Sequence, residues 1–547
     1  MPTQELSEAT KKLISKYNLA HQQDQPKQGT ATIHVDEVAS NIASFYEKIR
    51  IVIDWKEEHL MRRAMIIRKL KRRFLEWQIN NFSAETQIAE HLVLELIRGG
   101  HFPNDFIPES KIGDVQKVLN KYIFILKNKP PTKNKREELQ LYNWLLEIAA
   151  CEIEETLCLA IRETSLINYM FELMKERISV VNKSPIAINN DDKKKEINTQ
   201  IYIAVQQALF KLDHPIIIYN LLKYRYPQWS TASSEFLAEI AKNIYQIWDD
   251  IEKSLSHPLA GKFYTICEKY DTPYILLGDI LTEENPAEVL EKISKAENLE
   301  SMVRGAYKKR LSTLKKRLYR AAMYTTLSVL LGNALSIAVL EWPIATWIYG
   351  SFSTSPVLTV LVDILGPTFL MLLFILTVKP PPKDNLGVVV MESMKIVYKS
   401  QKIDTYTIKP SRKRGLAINT IIGLTYFAGA VVSFGFIIWI FMEANFPVTS
   451  IFLNVMFVAL VTFAGIAVRK KAQELTVKER KEGFLGFLVD MFSLPVAATG
   501  RWLSNKWKRY NAIAAFFNAL IDVPFAIFIE FLENWRFFLK DKKEEIR

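Results

Sequence analysis

The side chains able to do chemistry are few and scattered. Asp363 is the one ionisable residue inside a strongly apolar run, and Gly366-Pro367 follow three residues later. A carboxylate at membrane depth costs on the order of 2.5–3.5 kcal/mol on insertion scales, so it turns toward a partner or toward water. A Gly-Pro pair loosens a helix and frees carbonyl groups. Together they suggest an ion or proton site, with Asn333, Asn419 and Asn454 as polar partners. The plainer reading is that Asp363 reaches the outer interface and is merely solvated there.

Other chemistry is thinner. His91 and Glu95 lie one helical turn apart, and Asp249-Asp250 precede His257, but each set is short of a metal-ligand constellation. Cys151 and Cys158 share a helix face, as buried structural residues do. Ala260-Gly261-Lys262 lacks the upstream glycine of a phosphate-binding loop. No GxxxxGK[ST], GxGxxG, HExxH, CxxC or GxSxG pattern occurs. The chain therefore leans away from an enzyme, with no cofactor and no metal expected.

What these residues would need is positioning, and the elements able to supply it divide the 547-residue chain in two. Lys and Arg number 71 against 59 Asp and Glu, a formal charge of +12. Three cysteines exclude a disulfide framework. Residues 1–320 are polar and charged, whereas 321–547 hold long apolar runs. Four of these, 321–340, 357–378, 416–441 and 448–468, contain no charge except Asp363. Each has the ~20 residues a helix needs to cross ~30 Å of hydrocarbon.

The flanking charge sets an orientation. Residues 301–320 carry eight basic residues and no acid, 379–415 carry nine basic residues against three acids, and Arg469-Lys470-Lys471 follow the fourth run. The opposite connections, 341–356 and 442–447, carry no Lys or Arg. Basic short connections stay cytoplasmic, so both termini and the 379–415 loop are expected inside a cell (inner) membrane. Trp342, Trp347, Tyr349 and Trp439 fall at the outer ends, where amphipathic rings favour the interface. The first 20 residues carry no signal-like apolar stretch, so the first apolar run is expected to insert the chain itself. Gly332 with Ser336, Ala334 with Ala338 and Gly429 with Ser433 would let helices approach closely, in a compact bundle or at a dimer face.

The tail, 469–547, is aromatic and basic. Phe484, Phe487, Leu488, Met491 and Phe492 recur at helical spacing, followed by Arg501, Trp502, Lys506, Trp507, Lys508 and Arg509. A narrow polar stripe then runs through a Phe- and Ile-rich stretch over 511–540. As further spans, 484–499 and 512–539 would carry those cations outside, against the charge rule. An interfacial helix pair with Arg501, Lys506, Lys508 and Arg509 at the anionic cytoplasmic headgroups fits better. A hairpin entering the bilayer, or a tail packed on the soluble half, remain alternatives.

Residues 1–320 read as almost all helix, in two regions, 1–181 and 197–320, joined by a polar linker at 182–196. Expected helices cover 35–79, 84–98, 111–127, 137 to about 180, 197–212, 215–225, 234–254, 258–269 and 273–281. Asn285-Pro286 with Glu288 starts another that runs on toward the first span. The basic run Arg62–Arg73 reads as an amphipathic helix whose cations meet local acids, with anionic lipid a second choice and nucleic acid unlikely.

The fold class is thus all-α: a cytoplasmic helical domain, a four-helix transmembrane bundle and amphipathic tail helices. The function expected is that of a non-enzymatic scaffold, adaptor or membrane organiser, its partners the bilayer and a protein held by the cytoplasmic domain. The alternative is a subunit of an oligomeric transporter or channel using Asp363.

Overall fold

The computed structural model describes residues 5–23, 31–35, 62–71, 88–158, 160–181, 190–336, 357–376, 381–399, 404–409, 415–443, 448–477 and 484–509, with isolated positions elsewhere. For 357–364 and 507–509, among others, it describes the backbone alone. The fold is all-α. Among the described residues the only strands are β1 (Ile178–Val180) and β2 (Tyr406–Ile408), paired in parallel with Ile178 opposite Tyr406.

The chain divides into two compact units. One holds 293–395 and 411–514, the other 5–292 with 396–410. The second unit is a helical assembly whose elements start where local chemistry dictates. Asn134 accepts from the backbone N–H groups of Arg136 and Glu137 ahead of Lys135–Leu157. Ser233 does the same for Ser234–Leu255, and Asn285 accepts from Ala287 ahead of Pro286–Lys292. Each satisfies an otherwise orphaned donor of the first turn. Ser110–Asn128 packs on Lys135–Leu157 and Ser234–Leu255, while Asn190–Phe210 packs on Ile161–Arg177 and Ala260–Lys269.

The core of this unit contains a buried ionic knot. Lys121 and Glu152 are almost wholly buried and form an ion pair. The Tyr122 hydroxyl donates to Glu152 at 2.7 Å, and Lys121 Nζ donates to the Trp229 carbonyl at 2.9 Å. Burial lowers the Lys121 pKa and raises that of Tyr122 well above its ordinary value. Buried charge is tolerable only when paired and hydrogen-bonded in this way.

Several expectations change. The stretch from 137 to about 180 is two helices, Lys135–Leu157 and Ile161–Arg177, and its last three residues are β1. The helix begun at Pro286 stops at Lys292, and a separate 41-residue helix, Ala296–Ser336, enters the apolar region. Of the linker at 182–196, residues 182–189 lie outside the described set, and the rest opens the helix Asn190–Phe210. Both of its flanks belong to one unit. Of the long helix expected over 35–79, residues 62–71 are described and are helical.

The basic run within 62–71 faces the core. Ile66 and Leu70 are fully buried, and Arg63 is buried beside Glu154 at 3.0 Å and paired with Asp213. Arg62 reaches Glu154 at 3.2 Å and Lys69 reaches Glu95 at 2.9 Å. These cations meet acids about 25 to 150 residues away in the chain; Glu57, Glu58 and Glu76 lie outside the described residues.

Candidate membrane interface

Segment 396–410, which joins two apolar helices, belongs to the 5–292 unit. Ser7 N–H donates to the Val397 carbonyl at 3.0 Å, and Lys399 N–H to the Glu5 carbonyl at 2.9 Å. The Tyr169 hydroxyl donates to the Ile396 carbonyl at 2.8 Å, and Thr10 to that of Val397 at 3.1 Å. Tyr406 stacks on Tyr270 at 4.5 Å, and β2 completes the pairing with β1. The connector is thus built into the helical unit by backbone hydrogen bonds.

In the other unit a single buried amide ties three stretches together. Asn385 is fully buried. Its Nδ2 donates to the Tyr307 hydroxyl at 3.0 Å and to the Leu475 carbonyl at 2.7 Å, and its Oδ1 accepts from Val477 N–H at 2.9 Å. The amide's two donors and its acceptor oxygen are all engaged. Two apolar excursions, 308–384 and 386–474, therefore begin and end at one side chain. Lys308, Lys309 and Lys383 adjoin this knot, and Arg469-Lys470-Lys471 precede it by four residues.

Between those anchor points lie the helices Val357–Leu376, Leu416–Glu443 and Val448–Ala472. Among the described residues, two stretches are long and apolar enough to cross a membrane, Ala417–Glu443 and Ser450–Ala472, while Leu365–Leu376 is apolar but shorter. Only 11% of the apolar window in Ala417–Glu443 is buried, against 33% in Ser450–Ala472. Ile421, Leu424, Phe427, Val432, Phe436 and Trp439 all stand exposed. Val448–Ala472 packs on Ala296–Ser336, Val357–Leu376 and Phe484–Arg509.

The tail helix Phe484–Arg509 runs antiparallel along Val448–Ala472. Asp490 lies 3.9 Å from Arg469, and Gly500 lies against Ala459 and Phe463. A Cβ at Gly500 would meet the Ala459 carbonyl oxygen at 2.0 Å, so only glycine permits this approach. Gly429 and Ser433, the small pair read from the sequence, do sit at a helix contact: Ser433 Oγ donates to the Phe492 carbonyl at 2.8 Å. No pattern of residue types could pair that motif with the tail.

The other candidate residues fall as follows. Asp363 lies in the helix Val357–Leu376, with its side chain outside the described residues. Gly366 is exposed and Pro367 is buried within the same helix. Arg501, Trp502 and Lys506 are exposed on Phe484–Arg509, and the side chains of Trp507, Lys508 and Arg509 lie outside the described residues. The segment 512–539 has only scattered described positions. His91 is exposed, and Glu95 pairs with Lys69. His257 reaches Glu196 at 3.2 Å, and Asp249 pairs with Lys253. Lys262 donates to the Lys409 carbonyl. Cys151 and Cys267 are buried, and burial pushes both thiols far up. Among the described residues no group of three or more His, Cys, Asp or Glu could hold a metal ion. No protein-family model, curated protein sequence or solved structure matches the chain.

Proposed function

We propose that this chain is a multi-pass membrane protein of the cell (inner) membrane, whose four apolar segments form a transmembrane bundle. The helical unit is held on the cytoplasmic face, where it acts as a non-enzymatic scaffold or adaptor. The observation that carries the reading is the 28-residue helix Leu416–Glu443, uncharged up to its last residue and almost none of it covered by the chain's own fold. At roughly 25 cal/mol per Å² such a surface is costly in water and favourable in lipid.

Parity supports the sidedness. Residues 5–292 and 396–410 fold as one unit, so the chain between them crosses the bilayer an even number of times. The Asn385 knot imposes the same condition on each apolar excursion. Both conditions fit crossings at 321–340, 357–378, 416–441 and 448–468. The cations around the knot favour the cytoplasmic side and its anionic leaflet for that end. The large soluble unit, free of recognisable catalytic patterns, favours a protein partner.

Two measurements test this. Alkaline carbonate washing of membranes should leave the chain in the pellet; release to the supernatant refutes membrane insertion. Tagged full-length protein, solubilised in mild detergent, should retain a stoichiometric protein partner; its consistent absence refutes the scaffold role. A transporter would instead show flux in proteoliposomes that falls on Asp363→Asn.

A further inference from the structure

If Val448–Ala472 crosses the bilayer, as proposed above, the register of its tail partner places charge at an unexpected depth. Arg469 marks the junction end of the pair, where Asp490 joins it. Gly500 packs at Ala459, ten residues along, which is about 15 Å at 1.5 Å per residue. A hydrocarbon slab is ~30 Å thick. Arg501 follows Gly500 directly, so it emerges near mid-depth, and the same register brings Asn505 level with Asn454 and Lys506 level with Leu453. Arg501, Trp502, Asn505 and Lys506 are all exposed. On the facing helix, Ser450 and Asn454 are buried polar residues at that same level. The distal half of the pair thus exposes two cations and an amide on the tail helix and buries two polar residues on its partner. The half nearer the junction buries Pro495, Val496 and Ala497.

Cations held bare against lipid tails are costly, a penalty relieved by water and by headgroups drawn inward. We infer that the distal half of this helix pair lines a hydrophilic furrow in the outer leaflet that binds the phosphate of an anionic phospholipid. Arg501 and Lys506 supply its cations, and Asn505 an amide donor. The lipid is favoured over a free anion because apolar surface adjoins the cations. Trp502, Val448 and Phe452 are exposed at the same end, where acyl chains can lie. The inference rests on the spanning reading, and its test separates the two.

Single cysteines at Lys506→Cys and Val448→Cys are placed in the full chain carrying Cys158→Ser, the remaining two thiols being buried. Intact cells are treated with a membrane-impermeant maleimide before and after permeabilisation. Both positions should react from outside. Val448→Cys reacting from outside while Lys506→Cys does not overturns the furrow and leaves the crossing standing. Val448→Cys reacting only after permeabilisation overturns the crossing itself. In a second arm, protein from phosphatidylcholine vesicles with and without phosphatidylglycerol is assayed for retained lipid by mass spectrometry. Wild type should prefer phosphatidylglycerol by roughly tenfold or more, from about 1 kcal/mol per cation. Arg501→Gln with Lys506→Gln should abolish the preference. An unchanged preference in that variant, or its complete loss in millimolar inorganic phosphate, overturns the lipid assignment.

Discussion

Removing the Asn385 side chain should loosen the unit of 293–395 and 411–514 at the point where its two apolar excursions close. Asn385→Ala strands the Leu475 carbonyl and the Val477 N–H, which now sit 2.7 and 2.9 Å from the amide. Both residues are nearly fully buried. A buried backbone group left unsatisfied costs ~1–3 kcal/mol, so the two together cost roughly 2–6 kcal/mol. Asn385→Asp should be no milder, because a carboxylate can accept from Val477 but has no N–H for Leu475. Tyr307→Phe removes one hydrogen bond and should cost about 1 kcal/mol. The assay is thermal unfolding of the full chain in detergent, read for all three variants and for the double variant. The apparent midpoint of Asn385→Ala should fall by on the order of 10 °C. The double variant should lose less than the sum of the singles, since both share one bond. An Asn385→Ala midpoint equal to wild type, or strict additivity with Tyr307→Phe, would refute the claim that this amide closes the unit.

The remaining predictions concern packing and charge. Glu152→Ala leaves Lys121 buried without its carboxylate and should destabilise the helical unit by about 3–5 kcal/mol, whereas Lys121→Met with Glu152→Leu should cost far less, as measured by denaturant titration. Gly500→Ala drives a methyl group into the Ala459 carbonyl, so the tail helix should separate from Val448–Ala472 and become open to protease near 478–510; unchanged digestion refutes the contact. Burial raises the Glu147 pKa above 4.5, so the folded state takes up the proton more readily than the unfolded chain. Its stabilising contribution is therefore full below pH 4.5 and lost as pH rises through the higher folded value. Glu147→Gln should flatten the stability profile across that window without lowering stability at neutral pH. Asp363→Asn should leave membrane integration and partner retention unchanged if the scaffold reading holds, and a loss of either counts against it.

Much of the helical architecture was legible because its signals are local. Asn134, Ser233 and Asn285 begin helices through contacts two or three residues away, and apolar periodicity marks what is buried. The break at Cys158–Ala160 was not legible, since no proline or glycine lies there. Nor was the strand at Ile178–Val180, whose partner Tyr406–Ile408 follows more than 220 residues later. The cations of the basic run were expected to meet local acids, whereas the partners Glu154, Asp213 and Glu95 could be found only in space. Among candidate site residues, the tail's basic cluster was seen, but its position along Val448–Ala472 was not. That position depends on Gly500 lying against Ala459, a contact whose register no pattern of residue types records.

By itself the sequence determined the helical class, the apolar runs and the crowding of cations on alternate connections. Each of these depends on composition within about 20 residues and on the length of chain needed to cover a fixed thickness. Tertiary structure alone decided that 396–410 folds with the helical unit, that Asn385 gathers three distant stretches, and that the tail lies along an apolar helix. Those outcomes come from matching surfaces and buried hydrogen-bond partners far apart in the chain, where many pairings have equally suitable residues and geometry selects one.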